Sequence, residues 1–383
     1  MNIGSLLTSF FLQPVIRCVV SFSPLKKNKF FCISMSGNSY GDNVKCLSDY
    51  ISSNFPNAQI VWAFSKNYLN EVECEHKKVV ISSVSYFYHI LTSKYVISNF
   101  AMDFRTFSKK RKGQVCLQTW HGTTLKKIGY DMYKTDNNIA YSLFGIDRIK
   151  NMNIITDYFI SGSSYMTRIF RERFKYTGKI YEIGTPRNDI FFTENADIVE
   201  KVKQKYGIGN KKIILYAPTF RKGGLFTYYD INLSLVKQTL EEKMKCSYVV
   251  LVRLHPNIAT KSEAFVKLFE CETIDVSNYP DMQELLCATD VLITDYSSSM
   301  FDFMYTYKPV IMYVPDRQTY NRGFYLDIDK LPFIIINNNN EIMKAISGYD
   351  ADKYHTGVDA FLIEIGSVED GNATKRAYNL LME

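Results

Sequence analysis

Along this chain, short runs of β-branched and aromatic residues alternate with longer stretches whose apolar residues recur at helical spacing. The short runs predict strands over residues 30–34, 59–63, 79–82, 95–98, 115–119, 158–161 and 180–183. A second set follows over 212–217, 248–254, 273–276, 291–294 and 310–313. Helices are predicted over 43–53, 85–91, 166–174, 233–245, 281–288 and 299–305. Strands joined through helical crossovers run parallel, so the pattern predicts an α/β chain with two doubly wound, Rossmann-like domains. The polar stretch 193–210 separates the two sets, which sets residues 25–195 apart from 196–383. In open parallel sheets ligands bind beyond the carboxyl ends of strands, so the segments that follow strands carry the candidate chemistry.

The first 24 residues pattern differently. Leu6, Leu7, Phe10, Phe11, Leu12, Val15, Ile16, Val19 and Val20 are apolar, but Pro14 and Arg17 interrupt them. No stretch here approaches the roughly 20 apolar residues of a membrane span. Lys26, Lys27 and Lys29 follow the apolar part, whereas a signal peptide carries its charge before it. Residues 1–24 therefore read as an interfacial membrane helix with a basic clamp, or as an ordinary first helix packed on its domain.

Charge narrows the partners only slightly. The net charge of +7 suits anionic ligands without choosing among them. The densest basic cluster is Lys109-Lys110-Arg111-Lys112, and no basic stripe interleaved with aromatics is visible, so a nucleic-acid partner is not expected. The 8 cysteines form no C-x-x-C pair, which argues for reduced thiols and against a zinc site.

Three segments at strand ends concentrate reactive groups. After 115–119 comes Trp120-His121-Gly122-Thr123-Thr124-Leu125-Lys126. Gly122 permits a tight turn, and Thr123 and Thr124 are suited to cap a following helix and leave amide donors for an anion. His121, with a reference pKa near 6.5, can accept a proton at neutral pH. The second segment is Arg253-Leu254-His255-Pro256, where a period of two puts Arg253 and His255 on one face beside a diphosphate's oxygens. The third runs from Asp295 through Tyr296-Ser297-Ser298-Ser299 to Asp302, a hydroxyl-rich turn opening a helix. Arg187 in Gly184–Asp189, and Thr219 and Arg221 after Tyr216-Ala217-Pro218, add anion ligands. Asn43, Asn99, Lys126, Asp316 and Arg322 are further candidates. Asp327-Ile328-Asp329 is a D-x-D string beside Lys330, a weak metal signal, and no Walker, G-x-G-x-x-G, H-E-x-x-H or G-x-S-x-G pattern occurs.

Taken together, W-H-G-T, G-T-P-R-N-D, Y-A-P-T-F-R, R-L-H-P, T-D-Y-S-S-S-x-F-D-F and the late D-x-x-x-Y-x-R-G resemble the CDP-glycerol glycerophosphotransferase family of teichoic acid primases and polymerases. The motifs keep the family's order over roughly residues 95–330, with Thr124 where proline is common and Phe220 where tryptophan is common. The resemblance implies a GT-B-like fold, an acceptor-side N-terminal domain facing a CDP-polyol-binding C-terminal domain across a cleft, and a peripheral place on the cytoplasmic face of the membrane. It implies a CDP-glycerol or CDP-ribitol donor and a lipid-linked or polymeric acceptor. His121 is then the base and His255 the group assisting at the phosphate, while Gly122, Thr123, Arg187, Thr219, Arg221, Arg253, Asp295, Ser297, Ser298, Ser299 and Asp302 contact the donor. No cofactor is expected, except that a polyphosphate donor leaves a role for Mg2+ open. A GT-B glycosyltransferase using a nucleotide sugar shares this fold, and a non-catalytic envelope-polymer-binding protein is the reading from another class.

Overall fold

The alternating runs assemble into two parallel sheets in the computed structural model, which describes residues 14–16, 18–20, 22–101, 103, 109–134, 139–219, 229–254, 272–320 and 322–383. The first compact unit comprises Met1–His121, Ile128–Asp189 and Ser367–Glu383, and the second Gly122–Lys127 and Ile190–Gly366.

The first unit carries β1 (Lys26–Ile33), β2 (Gln59–Phe64), β3 (Lys77–Val80), β4 (Ser93–Ser98), β5 (Val115–Gln118), β6 (Tyr158–Ser161) and β7 (Lys179–Glu182) in the order β3-β2-β1-β4-β5-β6-β7. Chain order reverses between β1 and β4, the switch point where such sheets open a crevice. Register brings the strand ends level: Ile33 pairs with Ser98, and Ser98 with Gln118. The residues just beyond (Ser34, Asn99 and Thr119) therefore share one edge. Phe30, Cys32, Trp62, Phe64, Ile97, Leu117 and Ile160 point from these strands into one apolar cluster. Val44, Leu47 and Ile51 of the helix Asp42–Asn54 close it, together with Ala377, Leu380 and Leu381 of the helix Ala373–Met382. That last helix is fastened at its start by the Asp189 carboxylate, which accepts the amide protons of Ala373 and Thr374 at 2.9 and 2.8 Å.

The second unit carries β8 (Lys212–Tyr216), β9 (Tyr248–Val252), β10 (Thr273–Asp275), β11 (Val291–Thr294), β12 (Val310–Tyr313) and β13 (Ile334–Ile336), ordered β10-β9-β8-β11-β12-β13. Its switch point lies between β8 and β11, whose ends lead into the Thr219 and Asp295–Ser299 segments.

Three features depart from the sequence pattern. The stretch 193–210, polar enough to read as a separator, contains the helix Ala196–Lys205, which buries only Val202 among polar neighbours and packs against Met282–Ala288. The chain changes unit at His121/Gly122, Lys127/Ile128, Asp189/Ile190 and Gly366/Ser367, rather than once near 195. β13 (Ile334–Ile336) lies outside the twelve expected strands. At the N-terminus, residues 1–13, 17 and 21 of the expected interfacial helix lie outside the described residues. Ile16 and Val20 are buried one turn apart, while Val15, Val19 and Phe22 are exposed. Among the described residues no helix is long and apolar enough to cross a membrane.

Candidate active site

β5 ends in a backbone held in an unusual shape. Trp120 and Gly122, on either side of His121, have φ of 54° and 102°. A tryptophan in the left-handed region costs on the order of 1 kcal/mol and persists only where its surroundings enforce it. Asn43, fully buried in the first turn of Asp42–Asn54, supplies that enforcement. Its Nδ2 donates to the carbonyls of Thr119 and Trp120 at 3.3 and 2.9 Å, and its Oδ1 accepts the Arg187 amide at 3.0 Å. The Arg187 guanidinium pairs with Asp42 at 3.1 Å. Met35, Ser36 and Asp42, which follow β1, also lie in the left-handed region, as do Ser82, Lys175, Lys245 and Tyr307 elsewhere in the chain.

The His121 ring is oriented from three sides. Trp120 stacks on it at 4.3 Å between centroids, and Phe100 meets it edge-on at 5.6 Å. Its Nδ1 lies 2.8 Å from the carbonyl oxygen of Asn99. A carbonyl only accepts, so Nδ1 carries the hydrogen and Nε2 is the basic nitrogen of the neutral ring. The Asn99 side chain is itself fixed: Nδ2 donates to Ser34 Oγ and Oδ1 accepts from the Met35 amide, both at 3.0 Å. Sequence reading missed Ser98, Asp103 and Gln118, which form a hydrogen-bonded layer beneath this wall. Gln118 Oε1 accepts the Trp120 amide at 2.9 Å.

The residues after Gly122 behave differently from the expectation. No helix starts at Thr123 or Thr124; the segment is irregular, with Lys126 bridging antiparallel to Phe324. Backbone bonds Tyr325 N–H to Leu125 and Lys127 N–H to Gly323, at 2.9 and 3.1 Å, capture it before a helical turn can form. Thr124 Oγ1 donates to the Lys126 carbonyl at 2.7 Å, and Arg322 Nε to the Lys127 carbonyl at 3.0 Å. The W-H-G-T segment is thus divided, with His121 in the first unit and Gly122–Lys127 in the second, joined there to Arg322-Gly323-Phe324.

In the second unit, the Asp295 carboxylate accepts the Thr219 amide through both oxygens, at 3.0 and 3.1 Å. Ser299 Oγ donates to Ser297 Oγ at 2.8 Å, and Ser298 precedes the short helix Ser299–Phe303. The buried Tyr296 donates to Asp316 at 3.0 Å and stacks against Tyr320 and Phe324, which brings the late Asp316–Gly323 segment to the serine turn. Two further candidates have partners of their own. Asp302 is buried and accepts from Gln283 Nε2 at 3.2 Å. Arg253 donates to the Tyr279 carbonyl at 2.8 Å, and burial lowers its pKa despite the nearby Asp281. Arg221 and His255 lie outside the described residues. In the D-x-D string, Asp327 accepts the Asp329 amide, and Asp329 forms a two-pronged ion pair with Arg317. Among the described residues no group of three or more His, Cys, Asp or Glu is arranged to hold a metal ion.

A profile of the family described as "CDP-Glycerol:Poly(glycerophosphate) glycerophosphotransferase" matches residues 16–383. The "Teichoic acid glycerol-phosphate transferase" of Staphylococcus aureus (strain NCTC 8325 / PS 47) is 32% identical over 366 residues, covering 91% of this chain and 92% of that protein. The "Teichoic acid poly(glycerol phosphate) polymerase" of Bacillus subtilis (strain 168) is 29% identical over 95% of this chain, which spans only 50% of that polymerase's length. Among solved structures, the wall teichoic acid polymerase TagF, soaked with CDPG, matches with a TM-score of 0.81 and 26% identity, covering 100% of this chain and 98% of that one.

Proposed function

Since the chain belongs to the CDP-glycerol:poly(glycerophosphate) glycerophosphotransferase family and has its α/β, GT-B-like fold, we propose that it transfers glycerol phosphate from CDP-glycerol to a hydroxyl of a lipid-linked or polymeric teichoic acid acceptor. CMP is the other product. The observation that carries the reading is the hold on His121, whose Nδ1 is committed to the Asn99 carbonyl so that Nε2 is the proton acceptor. Nε2 takes the proton of the acceptor hydroxyl, whose oxygen attacks the glycerol-bearing phosphorus. The bond from that phosphorus to the CMP oxygen breaks, and CMP leaves with the electron pair.

Phosphoryl transfer asks the protein mainly to position groups and neutralise charge. In the second unit the hydroxyls of Ser297, Ser298 and Ser299 and the segment around Thr219 are assigned to the donor's phosphates, with Arg221, Arg253 and His255 as the cationic groups. Asp295 acts there through the Thr219 amide that it fixes. The setting assigned is the cytoplasmic face of the membrane, where a lipid-linked acceptor is reached; exposed Val15, Val19 and Phe22 beside Lys26 and Lys27 support a peripheral attachment.

The test is turnover by the purified chain with CDP-glycerol, CDP-ribitol and UDP-sugars, with a lipid-linked acceptor, with and without Mg2+. Release of CMP together with an acceptor heavier by one or more glycerol phosphates is expected. General-base help is typically about 10²- to 10⁴-fold. His121→Ala is therefore expected to lower kcat by that order, with the donor KM little changed. UDP-sugar consumption without CMP release would overturn the donor assignment, and a His121→Ala enzyme of near-normal kcat would remove the base.

A further inference from the structure

β4 ends at Ser98, and the peptide between Asn99 and Phe100 has its two polar groups engaged in different directions. Its C=O accepts from His121 Nδ1 at 2.8 Å. Its N–H donates to Asp103 Oδ2 at 3.2 Å. In a trans peptide these two groups point to opposite edges of one plane. The carboxylate and the imidazole are thus joined through a single rigid, polarisable unit.

Asp103 is well built to hold one end of that line. It is 3% exposed, and donors surround it: Ser98 Oγ at 2.7 Å, the Ser36 amide at 2.6 Å, and the amides of Asn99 and Phe100. Ser98 Oγ in turn accepts from Gln118 Nε2 at 3.3 Å, and Gln118 Oε1 holds the Trp120 amide. The same carboxylate therefore anchors the left-handed Ser36, the wall behind His121 and, through two side chains, the residue before His121.

We propose that Asp103 is a positioning residue for His121, acting through the Asn99–Phe100 peptide as a carboxylate–peptide–imidazole relay. Accepting the peptide N–H draws electron density toward the carbonyl oxygen, which strengthens its bond to Nδ1–H. That bond fixes the ring's tautomer and plane and stabilises the imidazolium formed when Nε2 takes a proton. It is the role a directly bonded carboxylate plays beside many catalytic histidines, displaced here by one peptide. The use of His121 as a base rests on the function proposed above; the tautomer of its ring does not.

The experiment is Asp103→Asn, read in two independent ways. Asparagine turns an NH2 group toward a ring of donors and cannot reproduce the relay. Outer residues that orient a functional group typically contribute 10- to 100-fold. A fall in kcat of that size is expected, with donor KM within about twofold and the folded fraction unchanged by thermal melting. Ser98→Ala keeps the carboxylate and the relay but removes one donor to it, and is expected to lower kcat less than Asp103→Asn does, with the Nδ1–H tautomer of His121 retained. Without any substrate, 15N shifts of labelled histidine are expected to show the Nδ1–H tautomer for His121 in the unaltered protein, and a mixture with a lower imidazole pKa in Asp103→Asn. An Nε2–H tautomer in the unaltered protein overturns the proposal even where the variant does not fold. So does an Asp103→Asn protein whose His121 tautomer and titration are unchanged.

Discussion

Burial pushes the Asp103 carboxyl up to about 7, desolvation outweighing the donors that surround it. Its folded pKa then lies above the ordinary value of 3.8, so between about pH 4 and 7 the folded protein binds more protons at this position than the unfolded chain. Its contribution to stability is present at the acid end and falls as pH rises through that window, by up to about 1.4 kcal/mol per pH unit. The recorded groups against it are the Ser98 hydroxyl and the backbone amides of Ser36, Asn99 and Phe100, none of which titrates there. Urea unfolding at pH 4.5, 6 and 7.5 is expected to show the advantage of the unaltered protein over Asp103→Asn shrinking steadily toward pH 7.5. Parallel curves would show that the carboxyl does not titrate in this window. At this scale His121 was readable because Trp-His-Gly after a strand is chemically unusual. Asp103 was not, because it acts through backbone groups that every residue has. Asp302, an acidic residue in the helix after the serine turn, is buried and accepts from Gln283, a partner that its place in the sequence does not announce.

At the scale of elements, twelve of the strands could be read from β-branched and aromatic runs, most plainly the central ones such as β5, β11 and β12, which are almost wholly buried in their parallel sheets. The helix Ala196–Lys205 was hidden by its single buried side chain, and the irregular course of Gly122–Lys127 by its pairing with residues 323–325, which no local pattern foretells. What fastens one element to another was equally silent in the sequence, and Asn43 is the clearest instance. It ties the start of Asp42–Asn54 to the end of β5 and to the Arg187 amide with three hydrogen bonds, at no exposure to water. Asn43→Ala would remove the Nδ2 donor from the Thr119 and Trp120 carbonyls, the second of which keeps Thr119 Oγ1 at 3.1 Å, and the Oδ1 acceptor from the Arg187 amide, a buried group left unmet being worth roughly 1–3 kcal/mol. Some water entry offsets part of this, so a loss of about 2–4 kcal/mol in unfolding free energy is expected, together with reduced turnover as the Trp120 backbone relaxes. A loss below about 0.5 kcal/mol, the usual range of surface substitutions, would mean that the strained turn holds without it.

Across the whole molecule, the chain leaves the first unit at Asp189 and supplies its last helix from Ala373–Met382, after the entire second sheet has been made. Alternation of strands and helices cannot show this return, because an amphipathic helix carries no label for the sheet it covers. Apart from Ala377 and Leu380 of the same helix, the buried side chains of the cluster that receives Leu381 come from β1, β2, β4, β5, β6, Asp42–Asn54 and Val72, all before residue 190. The Asp189 carboxylate caps the same helix. Deleting a buried leucine side chain costs about 2–5 kcal/mol, through lost transfer energy and the cavity left behind. The consequence of Leu381→Ala is therefore expected far from position 381 in sequence. Hydrogen exchange read by mass spectrometry should show protection lost in peptides covering β1, β2 and β4. Peptides covering β8, β11 and β12 should exchange as in the unaltered protein, although β12 lies much nearer in sequence. If protection instead fell mainly in residues 310–346, the helix would belong with the second sheet, and the packing described for the first unit would be wrong.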